Sequence, residues 1–282
     1  MPRADGRTPH DLRPLRASVG ELDRADGSGR FAFGPVAALA SFTGPIEVRI
    51  REERVERATL EVVHRPLEGV AGTPSHALIS ALDGVFSPLL ALSAFPRALL
   101  QLVVQSLTPA YAPHPAPLAE DRGVSWPPAE FAEVSKPAPL GASTFAARAA
   151  AINAATLAAL HAGSVGMRAV PFAVALASVD GELLLDPSAD EEAAASARFG
   201  FAWAFGTGIS SAAGAMELDG EEDEAELVWA EAEGEFSKDE VSWPYRQKQL
   251  THQFDAARNL SRLAAAEVLA FAKEQLDAFF TR

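Results

Sequence analysis

One stretch, residues 143–163, limits the possible folds of this chain more than any other. It reads STFAARAAAINAATLAALHAG and holds a single residue among Lys, Arg, Asp and Glu, which is Arg148. Residues at helical spacing share one face, at Ile152, Thr156, Ala159 and Leu160. Gly163 stands where a left-handed residue ends a helix. The pattern predicts a buried helix, in which Arg148 either faces water or holds an anion.

The composition is typical of a globular protein that lies outside membranes. The 282 residues are 48% hydrophobic, which is enough for a substantial core. The longest apolar stretch is interrupted by Asp83 and Pro88, so we expect no membrane span. The amino-terminal residues lack the apolar centre of a secretory signal. With no cysteine and no paired histidine spacing, we expect an intracellular protein without disulfides, metal or cofactor.

Two segments differ from the rest and are predicted to be insertions in a single domain of residues 1–282. The first, at about 109–141, is rich in proline, which removes N–H groups and fixes φ angles. The second, at about 213–243, is acidic. We expect solvated loops in both segments. The alternative is partner docking, with anchors at Trp126, Trp229 and Trp243.

The acidic segment also explains most of the net charge of -14. Residues 217–240 hold twelve acidic side chains and one lysine, a local charge of -11, so the rest of the chain carries only about -3. A uniformly acidic protein would repel nucleic acid. Because the charge is concentrated in one segment, an RNA partner is not excluded.

Outside these segments the hydrophobic periodicity predicts one mixed α+β domain. The predicted strands are 30–44, 58–65, 97–107 and two that join at the Asp180-Gly181 turn. The predicted helices are one that starts near Thr73 and is ended or kinked by Pro88, the buried helix at 143–163, and a long amphipathic helix from Gln247.

Seven sequence segments resemble the RNase PH family, and within it the ring subunits of the eukaryotic RNA exosome. They occur in the same order as in the family. They are LRPLRASVGELDRADGSGRFAFG, GPIEV, ATLEVVHRPLEGVAG, FPRALLQLVVQSL, INAATLAALHAG, GMRAVPFAVALA and LLLDPSADEEAAASARFGFAWA. The resemblance covers about residues 7–208 and the closing helix. It implies a ribosomal protein S5 domain 2-like fold, with mixed sheets packed against helices, and a hexameric ring of related subunits around an RNA channel.

The resemblance implies a non-catalytic structural role in the exosome core ring, which supports 3' to 5' processing and degradation of RNA, including ribosomal RNA. The implied partners are homologous ring subunits, cap subunits, an associated nuclease and the RNA in the channel. The implied location is the nucleus and nucleolus, and also the cytoplasm. Two alternatives stay open: an active phosphate-dependent 3' to 5' exoribonuclease, and a stand-alone S5-like protein that acts on small molecules.

Active relatives use inorganic phosphate to cleave the last phosphodiester of RNA. By resemblance, Arg148 aligns with the family's phosphate-binding arginine, and Asp186 and Glu192 with its two acids. The chain departs from the family at two points. Residues 145–147 are Phe-Ala-Ala in place of a glycine-rich turn that aims N–H groups at an anion, and Glu192 is one methylene longer than the family's aspartate.

We therefore expect the family positions to be degenerate, with Arg148 solvated or at an interface and Asp186 a turn residue. Some anion affinity would persist at the helix start. Residues 72–95 contain no Lys or Arg, so the basic segment with which active relatives grip RNA is missing. The remaining candidates for contact with RNA or a neighbouring subunit are Arg13, Arg16, Arg24 and Arg97.

Overall fold

The computed structural model describes residues 3, 5–67, 69–108, 144–206, 225–234 and 243–281. The proline-rich insertion predicted at 109–141 lies outside the described residues, as does Trp126. The acidic insertion predicted at 213–243 also lies outside them, except for residues 225–234 and the backbone of Trp243. Within the described ranges, no helix is both long and apolar enough to cross a lipid bilayer.

The described chain contains nine strands, four α-helices and one short 3₁₀ helix (Leu92–Ala94). The strands are β1 (Leu15–Val19), β2 (Gly27–Phe33), β3 (Val36–Glu47), β4 (Thr59–Arg65), β5 (Ala98–Ser106), β6 (Val170–Val179), β7 (Glu182–Leu185), β8 (Ala197–Phe205) and β9 (Ala225–Gly234). The helices are α1 (Thr73–Leu89), α2 (Phe145–Ala162), α3 (Ala189–Ala194) and α4 (Trp243–Phe280).

Two sheets enclose the central helix α2. The first sheet has the order β1-β2-β3-β5-β4, with β4 parallel to β5 and the other pairs antiparallel. The second is antiparallel throughout, in the order β7-β6-β8-β9. Helix α2 packs against β2 and β3 on one side and against β6 and β8 on the other, while α1 packs on β4 and α4 on β6. The predicted α+β class with mixed sheets is confirmed.

Helix α2 is buried around its whole circumference, as predicted. Every residue from position 145 to 159 is buried. The Thr144 hydroxyl caps the helix by accepting a hydrogen bond from the Ala147 N–H (3.2 Å), and Gly163 ends it with a φ of 59°. Because alanine side chains are small, both sheets approach the helix backbone closely.

Glycines on the facing strands complete this close approach. A Cβ atom on Gly29 of β2 would lie 2.6 Å from the Ala158 nitrogen and from the Leu157 Cβ. On β8, a Cβ atom on Gly200 would lie 2.7 Å from the Phe145 ring and 2.4 Å from the Trp229 ring. A side chain at Gly29 would therefore push the α2 backbone away from β2, and a side chain at Gly200 would displace the rings of Phe145 and Trp229.

The structure subdivides one predicted strand and confirms one predicted turn. The strand predicted at 30–44 belongs to two antiparallel strands, because Gly34 has a φ of 55° and the following Pro35 has no N–H for a ladder. The turn predicted at Asp180-Gly181 joins β6 to β7, with φ angles of 50° and 84°. Pro88 lies in the last turn of α1, which ends one residue later.

Part of the predicted acidic insertion is a strand of the domain. Residues 225–234 form β9, which pairs antiparallel with β8. Its apolar residues Leu227 and Trp229 pack against the core, while Glu226 and Glu233 are exposed. The expectation of a solvated loop fails here because Leu227, Val228 and Trp229 give the segment apolar side chains that pack against the core, and the strand pairs with β8 along its length.

The fit of α2 against β2 leads to a pair of matched predictions. We expect Gly29→Ala to destabilise the protein by about 1–3 kcal/mol, because the added methyl group overlaps the α2 backbone. Gly84→Ala is the control: Gly84 lies in α1, and a Cβ atom added there would meet nothing within 4 Å, so the same change should stabilise the helix by about 0.5–1 kcal/mol. Urea denaturation of both variants measures the difference, and equal stability of the two would contradict this packing.

His64 on β4 is a buried histidine that the fold holds next to Ser106. Its Nε2 lies 2.8 Å from the Ser106 Oγ on the neighbouring strand β5, and among the described residues its Nδ1 has no hydrogen-bond partner. Burial lowers the pKa of His64 below its ordinary value of 6.5. The folded protein therefore keeps this ring neutral at a pH where the unfolded chain would already bind a proton.

This histidine makes the stability of the fold depend on pH. The contribution of the neutral ring is fully present above about pH 6.5, and it declines as the pH falls below that value because the unfolded chain takes up the proton first. We expect His64→Gln, whose amide also reaches Ser106 but does not titrate, to lose less stability between pH 7 and pH 5.5. Urea denaturation at both pH values tests this expectation. An unchanged pH dependence in the variant would show that His64 does not contribute.

Candidate functional site

Asp186, one of the two acids aligned with the family, is held by a buried arginine. It follows β7 directly, is 2% exposed and has a φ of 48°. Its Oδ2 accepts hydrogen bonds from the backbone N–H (2.9 Å) and the Nε (2.8 Å) of Arg13, and its Oδ1 pairs with the Arg13 Nη2. The carboxylate thus forms a bidentate ion pair inside the protein.

Two further arginines converge on the same turn. Arg3 donates from Nη2 to the Asp186 carbonyl oxygen (3.0 Å) and forms two hydrogen bonds of 3.0 Å with the Glu191 carboxylate. Arg7 lies with its Nη1 3.9 Å from the Asp186 Oδ2. Burial raises the pKa of Glu191, but the hydrogen bonds from Arg3 and the Ser188 N–H, together with the charges of Arg3 and Arg7, outweigh burial and lower that pKa. The amino-terminal arm is therefore fastened to the loop between β7 and α3.

Glu192, the second aligned acid, reaches the start of α2 instead of the protein surface. It lies in α3, whose first turn is fixed by a capping box between Ser188 and Glu191. Glu192 is 2% exposed, and its Oε1 accepts a hydrogen bond of 2.6 Å from the Phe145 N–H. Burial raises the pKa of Glu192, and the Phe145 N–H and the charges of Arg198 and Arg13 oppose that rise.

Arg148 lies in the first turn of α2, and its guanidinium pairs with the second sheet. The Nη1 is 2.7 Å from the Glu231 Oε1 on β9, and the guanidinium carbon lies 5.1 Å above the centre of the Phe145 ring. Arg148 is only 8% exposed. The expectation of a solvated arginine is therefore wrong, because the strand that supplies Glu231 reaches across the start of α2, and the alternative of a subunit interface stays a prediction.

The structure thus brings Arg13, Asp186 and Glu192 into one region of buried charge and places Arg148 at the same end of α2. Arg13 was expected to contact RNA or a neighbouring subunit. It is 6% exposed and directs its donors to Asp186, so within this chain it forms the ion pair, and its contact with RNA or a neighbouring subunit stays a prediction. Asp186 is a turn residue, as expected, and the turn is also an ion-pair site.

The other three candidate arginines are exposed, each on a different element. Arg16 lies on β1 and lines, together with Arg30, a cavity of about 350 Å³ on the side of the first sheet that faces away from α2. Arg24 lies in the turn between β1 and β2. Arg97 precedes β5 with a φ of 61°, and its Nε is 3.2 Å from the Glu53 Oε1.

Sequence reasoning missed the residues that hold these groups in place. Glu231 stands within a run of acidic residues, although the apolar residues in AELVWAEAEG indicate the strand that carries it. Arg3 has no local pattern that distinguishes it from a surface arginine. Its partners Asp186 and Glu191 lie more than 180 residues later in the chain, so only the folded structure identifies them.

In this arrangement the charged side chains of Asp186, Glu192 and Arg148 bind other groups of the same chain, which favours a structural role over catalysis on a bound molecule. Carboxylates that manage protons in a reaction need an open face toward the reacting group, and an anion site needs free donors. In the described structure both aligned acids already accept from protein donors. Among the residues that the structure describes, no three His, Asp or Glu side chains form a group able to hold a metal ion.

Comparisons with known proteins agree with this fold. Residues 11–164 match the family model described as 3' exoribonuclease family, domain 1. The chain is 37% identical over 87 residues to the exosome complex component rrp46 of Schizosaccharomyces pombe, a match covering 31% of this chain and 38% of the relative. It is 38% identical over 93 residues to RRP46 of Saccharomyces cerevisiae, covering 33% and 42%. The chain spans about two fifths of the length of these relatives.

A solved structure shows the same fold. The crystal structure of Rrp46 from rice superposes with a TM-score of 0.67 and 20% identity, and the match covers 98% of this chain and all of the rice chain. The strings LEVVHRP, LLLDP and ARFGFA resemble ribosomal-RNA-processing protein 46 more than other ring subunits. The matches to both yeast proteins of that name confirm this resemblance.

The ion pair between Arg13 and Asp186 predicts a large loss of stability on Arg13→Ala. Removing the arginine leaves a buried carboxylate without its partner, which we expect to cost about 3–5 kcal/mol. Arg16→Ala is the control, because this exposed arginine lies on the neighbouring strand β1, and we expect its removal to change stability by less than about 0.5 kcal/mol. Denaturant unfolding of both variants measures the difference, and a cost for Arg13→Ala no greater than for Arg16→Ala would contradict a structural role of the pair.

Proposed function

The chain belongs to the 3' exoribonuclease family that includes RNase PH, and from that membership we propose that it is a non-catalytic structural subunit of an RNA exosome core ring. In this role it supports 3' to 5' processing and degradation of RNA without cleaving RNA itself. The match to rrp46 proteins, which are named as exosome components, supports the assignment to a ring. The state of the aligned site residues supports the absence of catalysis.

The observation that carries the proposal is the ion pair between the Asp186 carboxylate and Arg13. An acid that handles protons or a metal ion must present at least one oxygen to the reacting atoms. Both oxygens of Asp186 accept from Arg13, and the pair is buried at the junction of the amino-terminal arm and the second sheet. The residue therefore supports the structure at the position where active relatives use an acid in catalysis.

The contacts of Arg148 with Glu231 and Phe145 also support the absence of catalysis. An arginine that binds the attacking phosphate needs its donors free to form a bidentate contact with the anion. Here Nη1 pairs with Glu231, and the guanidinium stacks over Phe145. A phosphate at this place would have to displace a carboxylate of the same chain, and it would meet the negative charge of that carboxylate.

We propose homologous ring subunits, cap subunits, an associated nuclease and the threaded RNA as partners. The exposed arginines Arg16, Arg24 and Arg97 are the groups that we assign to contacts with a neighbouring subunit or RNA. We propose the nucleus and nucleolus, and also the cytoplasm, as the location. The alternative function is an active phosphate-dependent 3' to 5' exoribonuclease. Membership of the 3' exoribonuclease family supports this alternative.

A direct assay of phosphate-dependent RNA cleavage distinguishes the two functions. We expect the purified protein, incubated with end-labelled single-stranded RNA, Mg²⁺ and inorganic phosphate, to release no nucleoside diphosphate above a blank without protein. An active member of the RNase PH family serves as positive control in the same buffer. Release of nucleoside diphosphate that requires phosphate would establish the alternative function. Contamination is excluded if Asp186→Asn abolishes such release.

The composition of the native assembly tests the ring assignment separately. We expect a tagged copy expressed in its own cells to be recovered once per particle, together with several different RNase PH-like subunits. The measurement is native mass spectrometry of the purified particle. A ring built only from copies of this chain would contradict the proposal, because a homo-oligomer has no other subunit to supply catalysis or the RNA path.

A further inference from the structure

One face of the first sheet points away from α2. Gly29, Ala40 and Val104 lie side by side on β2, β3 and β5, and a Cβ atom on Gly29 would touch α2, so this row of residues points towards the helix. Successive residues of a strand point to opposite faces of a sheet. The next row, which contains Arg30 and Gln105, therefore points to the outer face of the sheet.

This outer row crosses all five strands and has an arginine near each end. In spatial order from β1 to β4 its members are Ser18, Arg30, Leu39, Gln105 and Arg65. The adjoining row begins with Arg16, which lies opposite Ala32 of β2. All three arginines are exposed, and Arg16 and Arg30 line the cavity of about 350 Å³ on this face. Because two strands separate β2 from β4, the Cα atoms of Arg30 and Arg65 lie about 14 Å apart.

The positive charge of the outer face is only weakly neutralised. The Arg30 Nη1 lies 3.9 Å from the Glu21 Oε2, in a loose and exposed ion pair. Arg16 and Arg65 form no ion pair with any residue that the structure describes. Neither row contains an acidic residue, although the chain as a whole has a net charge of -14. A local positive surface of this kind attracts polyanions.

The apolar side chains of this face do not provide the anchors of a protein interface. Such interfaces have exposed aromatic or large apolar side chains at their centre. The aromatic residues of β2 and β3, which are Phe31, Phe33 and Phe42, are buried in the core. Leu39 is half-buried, and no large apolar side chain that is exposed within the described ranges belongs to the two rows. A polyanion with regularly spaced charges fits this face better than a folded protein.

We propose that the outer face of the first sheet, through Arg16, Arg30 and Arg65, binds the sugar-phosphate backbone of single-stranded RNA. A guanidinium can donate two parallel hydrogen bonds to one phosphate. Because a phosphate recurs at every nucleotide, the contact requires neither a particular base nor a free 3' end. The identity of the polyanion rests on the proposed function, in which RNA is a partner of the ring. The inference assigns Arg16 to RNA and not to a neighbouring subunit.

The salt dependence of binding counts the phosphate contacts. The probe is fluorescent oligouridine, titrated with the purified full-length chain at several concentrations of sodium chloride. Three contacts predict a slope of log K against log salt concentration of about -2, since each contact contributes about -0.7 for single strands. We expect Arg30→Gln combined with Arg65→Gln to bind about tenfold more weakly and to reduce the slope to about -0.7.

Arg262→Gln combined with Lys273→Gln is the matched control. It removes the same charge from two exposed positions of α4, a helix that packs on the second sheet. We expect its affinity and its slope to equal those of the wild type. An equal loss of affinity in both double variants would overturn the proposal, because binding would then follow the net charge of the chain alone.

Two further probes identify what the face recognises. We expect circular oligouridine to bind as tightly as the linear form, and a requirement for a free 3' end would overturn the proposal. We also expect poly-glutamate to compete only weakly, because its carboxylates do not reproduce the phosphate geometry. Binding of poly-glutamate without binding of oligouridine would identify an acidic protein as the partner and would also overturn the proposal.

Cross-linking in the native particle gives the decision if the isolated chain does not stay folded. We expect RNA cross-linked by ultraviolet light to map, within this chain, to peptides of β2 and β4. Adducts confined to other parts of the chain would contradict the proposal. The failure of the proposed function is a different result, since a particle without other ring subunits would refute the ring assignment and leave these RNA measurements to be decided separately.

Discussion

The structure depends on the contact of a nearly uncharged helix with two sheets at once. Helix α2 has no face for water, so each of its sides requires a sheet, and its alanine side chains bring the sheets near enough to share one core. Gly27 and Gly29 of β2 provide the space where the strand lies closest to the α2 backbone. Because α2 is fixed from both sides, its amino-terminal turn lies against α3 and β9. The positions of Arg148 and Glu192 follow from that placement.

Local patterns are sufficient to predict much of this fold. The buried helix, its end at Gly163, the turn at Asp180-Gly181 and the end of α1 near Pro88 are all set by a few neighbouring residues. The family resemblance adds the overall fold that these elements build. The prediction of a loop is wrong for residues 225–234, because the acidic residues of the segment obscure a strand whose apolar residues pack on the core beside β8.

The environment of the site residues is harder to predict, because their partners are distant in sequence. The aligned positions Arg148, Asp186 and Glu192 follow from resemblance, but their partners Glu231, Arg13 and Phe145 do not. These contacts join different elements and leave no periodic pattern. Charged groups that are buried in pairs add little net stability, but each pair tolerates only one geometry. They define how the amino-terminal arm, α2 and the second sheet fit together.

The contact between Arg13 and Asp186 has a consequence for the biosynthesis of the protein. The two residues are 173 positions apart, so Arg13 lacks this partner until the ribosome has made the 173 residues that follow it. During that interval β1 can pair with β2, since both belong to the first part to emerge. The arm that precedes β1 stays unanchored until β7 and its following turn appear. Fastening of this arm can therefore occur only after β1 and β2 have both been synthesised and are free to pair.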